Sequence, residues 1–154
     1  MAVTSHLYPY AQQQINEKAI SLTADSFKMG LLVNSAATWG ATQEAYQFVS
    51  AVTGAYTEVT SGGYARVALT TCTVTYSGAK TTWTCTAPAP ISFGSSITLA
   101  AAAGFIFDST IGGGVDSATP VIAIIDFGGT VSSSAGAWTY TVDPVNGLAS
   151  WTSS

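Results

Sequence analysis

Residues 56–85 read YTEVTSGGYARVALTTCTVTYSGAKTTWTC, and the register between the two cysteines of this stretch decides the fold. Counting inward from Cys72 and Cys85 sets Val74 across from Trp83 and Tyr76 across from Thr81, with Ser77-Gly78-Ala79-Lys80 as the turn. Thr73, Thr75, Thr82 and Thr84 hold the other parity. Alternation with period two on both arms is the mark of a half-buried β-hairpin. The face carrying Cys72, Val74, Trp83 and Cys85 is expected to join the core. The threonine face is left for solvent, a second sheet or a partner. The cysteines face each other, so a disulfide closing a short loop is feasible and would contribute up to about 3 kcal/mol. Two reduced cysteines filling a core layer fit the same spacing. Two thiols without histidine neighbours do not complete a metal site.

The pattern continues on either side. Ala11, Ile15, Ala19 and Leu22 recur at helical spacing, so a helix near 11–19 is expected within an N-terminal arm, residues 1–24. FKMGLLVN predicts a first strand over 27–33. Ala45, Phe48, Val49 and Val52 predict a short helix ended by Gly54. A strand over 65–74 leads into the hairpin, and the Ala-Pro-Ala-Pro run at 87–90 stops the ladder, because proline offers no N–H. Ile97–Asp108 reads as a strand whose alanines, Ala100–Ala103, suit a close-packed centre. Residues 109–119 are a loop by composition. PVIAIIDFGG is the uninterrupted apolar run of a strand buried on both faces, closed by Gly128-Gly129, with a polar loop after it. Trp138–Val142 and Leu148–Thr152 are the last strands, separated by turn chemistry at Asp143–Gly147. The expected class is all-β: a β-sandwich or jelly roll of about seven or eight antiparallel strands, with one or two short helices in the N-terminal third. Residues 25–154 then form a single domain.

Composition narrows the function. Only 8% of the 154 residues are charged, against about 25% in an ordinary soluble domain. The surface must be built from Ser, Thr, Gly, Ala, Asn and Gln, which sheds little ionic hydration when it meets another protein. Such a chain is expected to live against other subunits or outside a cell. The four cations, Lys18, Lys28, Arg66 and Lys80, are scattered. They make no basic patch, so neither nucleic acid nor an anionic membrane is an expected partner. The apolar run at 97–107 is too short to span a bilayer, and no secretory signal stands at the start.

No catalytic constellation emerges. His6, the one histidine, lies in the N-terminal segment with no neighbour in sequence to orient it. Asp108, Asp116, Asp126 and Asp143 could pair as acid and base, and the first three could bind calcium, but strand-end and turn aspartates ordinarily hydrogen-bond to backbone. Gly112-Gly113-Gly114 lacks the Lys-Ser/Thr of a phosphate loop. The expectation is a non-enzyme with no cofactor and no metal. Tyr8, Tyr10, Trp39 and Tyr64 are the candidate interface aromatics.

The order of motifs carries a resemblance. FKMGLLVN, a Trp-containing excursion, EVTSGGYARVALT, VTYSG, TTWTC, AAGFIFDST, PVIAIIDFGG and WTYTVDPVNGL succeed one another across roughly residues 25–150. This succession resembles a family of small structural proteins of tailed bacteriophages, through Glu58, Val59, Ser61, Gly63 and Tyr64, and through Ile125, Asp126, Phe127 and Gly128. The cysteine pair and the low acidity depart from that pattern. The resemblance implies a virion component: a capsid decoration or minor capsid protein on the capsid surface, assembled in the host cytoplasm. Its partners would be the major capsid protein and copies of itself, as a homo-oligomer such as a trimer. A head-fibre or tail-associated adhesion module that binds carbohydrate is the alternative.

Overall fold

The long apolar runs become neighbouring strands at the centre of the molecule. The computed structural model describes residues 3–34, 39–60, 63–85, 91–142 and 147–152. In chain order these form β1 (Thr4–Leu7), α1 (Pro9–Asn16), β2 (Phe27–Leu32), α2 (Ala41–Glu44), α3 (Val49–Ala55), β3 (Val67–Leu69), β4 (Cys72–Ser77) and β5 (Lys80–Cys85). Then follow β6 (Ile91–Ser92), β7 (Ile97–Asp108), a 3-10 turn (Ile111–Gly114), β8 (Val121–Gly136), β9 (Thr139–Tyr140) and β10 (Ala149–Thr152). The chain is mostly β, and every strand pairing is antiparallel. The sheets have the orders β1-β8-β7-β2-β3, β10-β5-β4 and β6-β9, none of them closed into a barrel.

Strands β7 and β8 are central because their sequences suit burial on both faces. Ala101–Asp108 and Val121–Phe127 are buried throughout. Each large aliphatic or aromatic side chain hidden there contributes about 1.5–3 kcal/mol of transfer free energy. Close approach is made possible by glycine. Gly30 pairs with Phe105, and a Cβ on Gly30 would collide with the Phe105 ring. Across the pleat, Phe27 of β2 meets Trp83 of β5 edge-on, centroids 5.0 Å apart. The Trp83 indole N–H donates to the Leu22 carbonyl at 3.1 Å. Phe27 and Gly30 are three residues apart and face opposite sides, so the three-stranded sheet covers one face of β2 and Phe105 lies over the other.

Five expectations change. The one short helix expected through Ala45, Phe48, Val49 and Val52 is two, α2 and α3, with Ala45 and Phe48 between them and Gly54 inside α3. Residues 4–7 are no free arm: they extend the main sheet, with Thr4 paired to Asp126 and Leu7 to Ala123. Tyr8, Ala11, Ile20 and Leu22 then pack into the core, because burying them returns more than leaving them in water. The expected helix at 11–19 begins earlier, at Pro9, and ends at Asn16. The strand over 65–74 is broken at Thr70-Thr71. Thr71 takes φ 51°, a left-handed corner at which the chain leaves the main sheet as β3 and enters the hairpin sheet as β4. Finally, Gly128-Gly129 does not end β8. Both glycines have positive φ, 73° and 156°, and form a bulge: Ala101 pairs with Val131 while Ala103 pairs with Asp126. Two steps on β7 thus answer five on β8, and β8 runs on to Gly136 as a bent ribbon. The buried run itself is as the sequence indicates, and so are Ala101–Ala103 on β7, whereas Ala100 is exposed. The proline stop at 87–90 and the Asp143–Asn146 part of the last turn lie outside the described residues.

Candidate interaction surface

Three partly buried charged side chains, Arg66, Glu58 and Asp116, turn toward one another. Arg66 stands one residue before β3, Glu58 is bridged to Leu32 at the end of β2, and Asp116 follows the 3-10 turn. The Arg66 guanidinium donates to Glu58 through Nε (2.8 Å) and Nη2 (2.8 Å), and to Asp116 through Nη1 and Nη2, both at 2.7 Å. Its carbon lies 5.5 Å and 5.1 Å from the ring centroids of Phe105 and Phe107, a cation–π arrangement. The Tyr64 hydroxyl donates to Glu58 Oε1 at 2.9 Å and accepts from the Leu31 N–H at 2.8 Å. Hydrogen bonding to Arg66 holds the Asp116 carboxyl below its ordinary range, against an opposing effect of burial. Burial pushes the Tyr64 phenol up. Each guanidinium nitrogen is engaged by a carboxylate, so the cluster is a closed ionic clasp rather than a reactive centre. Sequence reasoning missed it. Its only trace was a lone arginine entering an apolar strand.

The remaining aspartates do not converge. Asp108 is fully buried, and its Oδ1 accepts from the N–H groups of Thr110 (2.7 Å) and Ile111 (3.3 Å), tying the end of β7 to the turn after it. Burial raises its pKa above the usual carboxylate value. Asp126 Oδ1 accepts the Gly128 N–H at 2.6 Å and so stitches the β8 bulge. Among the described residues no three His, Cys, Asp or Glu side chains group to hold a metal. Asp143 lies outside the described residues. His6 does have a companion: its ring stacks on Trp39 with centroids 4.5 Å apart and an interplanar angle of 6°. Burial, the largest influence, lowers its pKa, so the ring is neutral at pH 7.

Of the four candidate interface aromatics, Tyr8 is buried and Tyr10, Trp39 and Tyr64 are partly buried, each against another ring. Tyr8 has no exposure at all and meets Trp39 edge-on at 5.1 Å. Tyr10 packs against Phe48 at 5.6 Å. Tyr64 stacks on Phe93 at 6.1 Å besides serving the clasp. Trp39, half-buried, is covered on one side by His6.

Exposed apolar side chains are scattered over the surface, at Val3, Val33, Val115 and Val131, and two of them, Val74 and Tyr76, lie together on the hairpin. The observed register is Cys72↔Cys85, Val74↔Trp83 and Tyr76↔Thr81, as counted from the sequence. A disulfide joins Cys72 and Cys85, whose Cα atoms are 3.9 Å apart. Trp83 and Cys85 are buried, yet Val74 is 40% and Tyr76 71% exposed on the same face. The face expected to join the core does so on β5 and not at Val74 and Tyr76 of β4, which is the sheet's edge strand. Thr73 and Thr75 are exposed on its other face. Comparison with known proteins found no matching family model, no matching curated protein and no matching solved structure.

Proposed function

We propose that this chain is a non-enzymatic structural protein of a bacteriophage virion, a decoration or cement subunit that docks on the head shell beside copies of itself. We further propose that its sheets are layers of a β-sandwich of the jelly-roll kind. The observation that carries the functional reading is the disposition of charge. An already charge-poor chain ties an arginine and two carboxylates to one another in a partly buried clasp, while the hairpin presents threonines, a valine and a tyrosine to solvent. A surface of that kind is covered at little desolvation cost, and many weak contacts to a repeating lattice add through avidity. The sequence resemblance to phage structural proteins supports the same reading.

The test mixes purified protein with undecorated capsids and, in parallel, with host cells and glycans. Saturable binding to the capsid lattice is expected. Binding to cells or glycans alone would replace decoration by the adhesion reading.

A further inference from the structure

Edge strands in natural sheets usually carry a device against pairing with another strand: a charge, a proline, a bulge or a cover. β4, CTVTYS, carries no charge and no proline, and it pairs in even register along its whole length. Among the described residues no strand lies on its other side. Its residues from Thr73 to Ser77 are exposed.

The backbone parity of this edge follows from its pairing with β5. Ser77 and Lys80 close a two-residue turn, which makes them a hydrogen-bonded pair. Alternation along an antiparallel ladder then makes Thr75 and Thr73 hydrogen-bonded positions, and Tyr76, Val74 and Cys72 non-hydrogen-bonded ones. The close Cα approach of Cys72 and Cys85, 3.9 Å, agrees, since non-hydrogen-bonded pairs are the closer kind. The N–H and C=O groups of Cys72, Val74 and Tyr76 therefore point away from β5, toward the open edge.

The side chains along that edge match themselves. Reversing the strand about Val74 sets Val74 against Val74, Thr73 against Thr75 and Cys72 against Tyr76. Every outward-pointing residue then meets another outward-pointing residue, so the ladder closes with about six hydrogen bonds, two for each pair. Thr73 and Thr75 become the close pairs on one face, a favourable cross-strand combination, and Val74 and Tyr76 lose their exposure on the other. We propose that β4 pairs antiparallel with β4 of a second copy about a two-fold axis at Val74, giving the continuous sheet β10-β5-β4-β4-β5-β10. The interface is isologous, as two-fold dimers require. It stands whether or not the protein docks on a capsid.

Sedimentation equilibrium of the full chain is combined with amide hydrogen exchange at low and high protein concentration. The expected result is a reversible dimer. On dimerisation the amides of Val74 and Tyr76 should exchange at least tenfold more slowly, while those of Thr73 and Thr75, already bonded to β5, stay unchanged. Val74→Lys places two like charges at the axis and should weaken self-association at least tenfold with circular dichroism unaltered; Val74→Thr should retain it. A wild-type protein that remains monomeric at millimolar concentration would overturn the proposal. So would an oligomer that keeps its affinity in a folded Val74→Lys variant. If that variant fails to fold, the wild-type exchange pattern decides: equal slowing at all four amides, or at none, refutes pairing along this edge.

Discussion

Arg66 holds two carboxylates and lies beside two aromatic rings at once, so its removal leaves three kinds of partner unsatisfied. Glu58 and Asp116 would be left facing each other across a half-buried space. Arg66→Ala is therefore expected to destabilise the fold by about 2 kcal/mol, below the usual cost of breaking a fully buried pair because water reaches the cluster. Denaturant unfolding measures it. The pH dependence has a definite sign. The Asp116 carboxyl lies below its ordinary value in the folded state, so its contribution is present above about pH 4 and is lost as pH falls through the folded value. Arg66→Ala should flatten that acid limb. Asp108 behaves oppositely. Its folded pKa is raised by burial, and among the described residues its Oδ2 has no hydrogen-bond partner, so ionisation at neutral pH costs stability. Asp108→Asn keeps the acceptor for Thr110 and Ile111 and is expected to gain about 1 kcal/mol at pH 7. The gain should vanish below about pH 4, where the unfolded carboxyl is also protonated. Thermal melts across pH check both signs. Neither environment was visible in the chain: Arg66 and Asp116 are distant in sequence, and their meeting depends on β3 and the 3-10 turn converging over Phe105 and Phe107.

The β4–β5 hairpin shows what alternation can and cannot specify. Its register was legible because a two-residue turn and facing cysteines leave one way to count. Its environment was not, because alternation says which residues share a face and not whether anything lies opposite. The edge strand β4 is held laterally by β5 and by the disulfide, whose ends are 13 residues apart in sequence. Closing a loop of that size restricts the unfolded chain by about 3 kcal/mol. The double variant Cys72→Ala, Cys85→Ala is expected to lose about 2–3 kcal/mol in denaturant unfolding, with faster amide exchange in β4 than in β7. The two departures at β3 and β8 share one cause. A threonine at positive φ turned a corner that carries the chain from the main sheet into the hairpin sheet, and two glycines at positive φ made a bulge within β8, past which β7 continues to pair with it.

At the scale of the molecule, scarcity of charge governs behaviour. With four cations and eight acids in the chain, and Arg66 already paired to two of the acids, the proposed docking would draw little from Coulomb attraction. Binding to a capsid lattice is expected to change less than threefold between low and high salt, because screening acts on charge pairs and not on apolar contact. Cosedimentation across a salt series reads this directly, and a steep loss with salt would point to an ionic interface. Local chemistry determined the antiparallel β class, the hairpin register, the buried run at 121–127 and the absence of a basic face, since each rests on neighbours in sequence or on composition. The incorporation of residues 4–7 into the main sheet, the Arg66 clasp, the inward turn of Tyr8 and Tyr64 and the exposure of Val74 and Tyr76 were decided only in the tertiary structure. Each of these depends on which strand lies beside or across from which, and that is settled by packing of the whole core, not by any stretch of it.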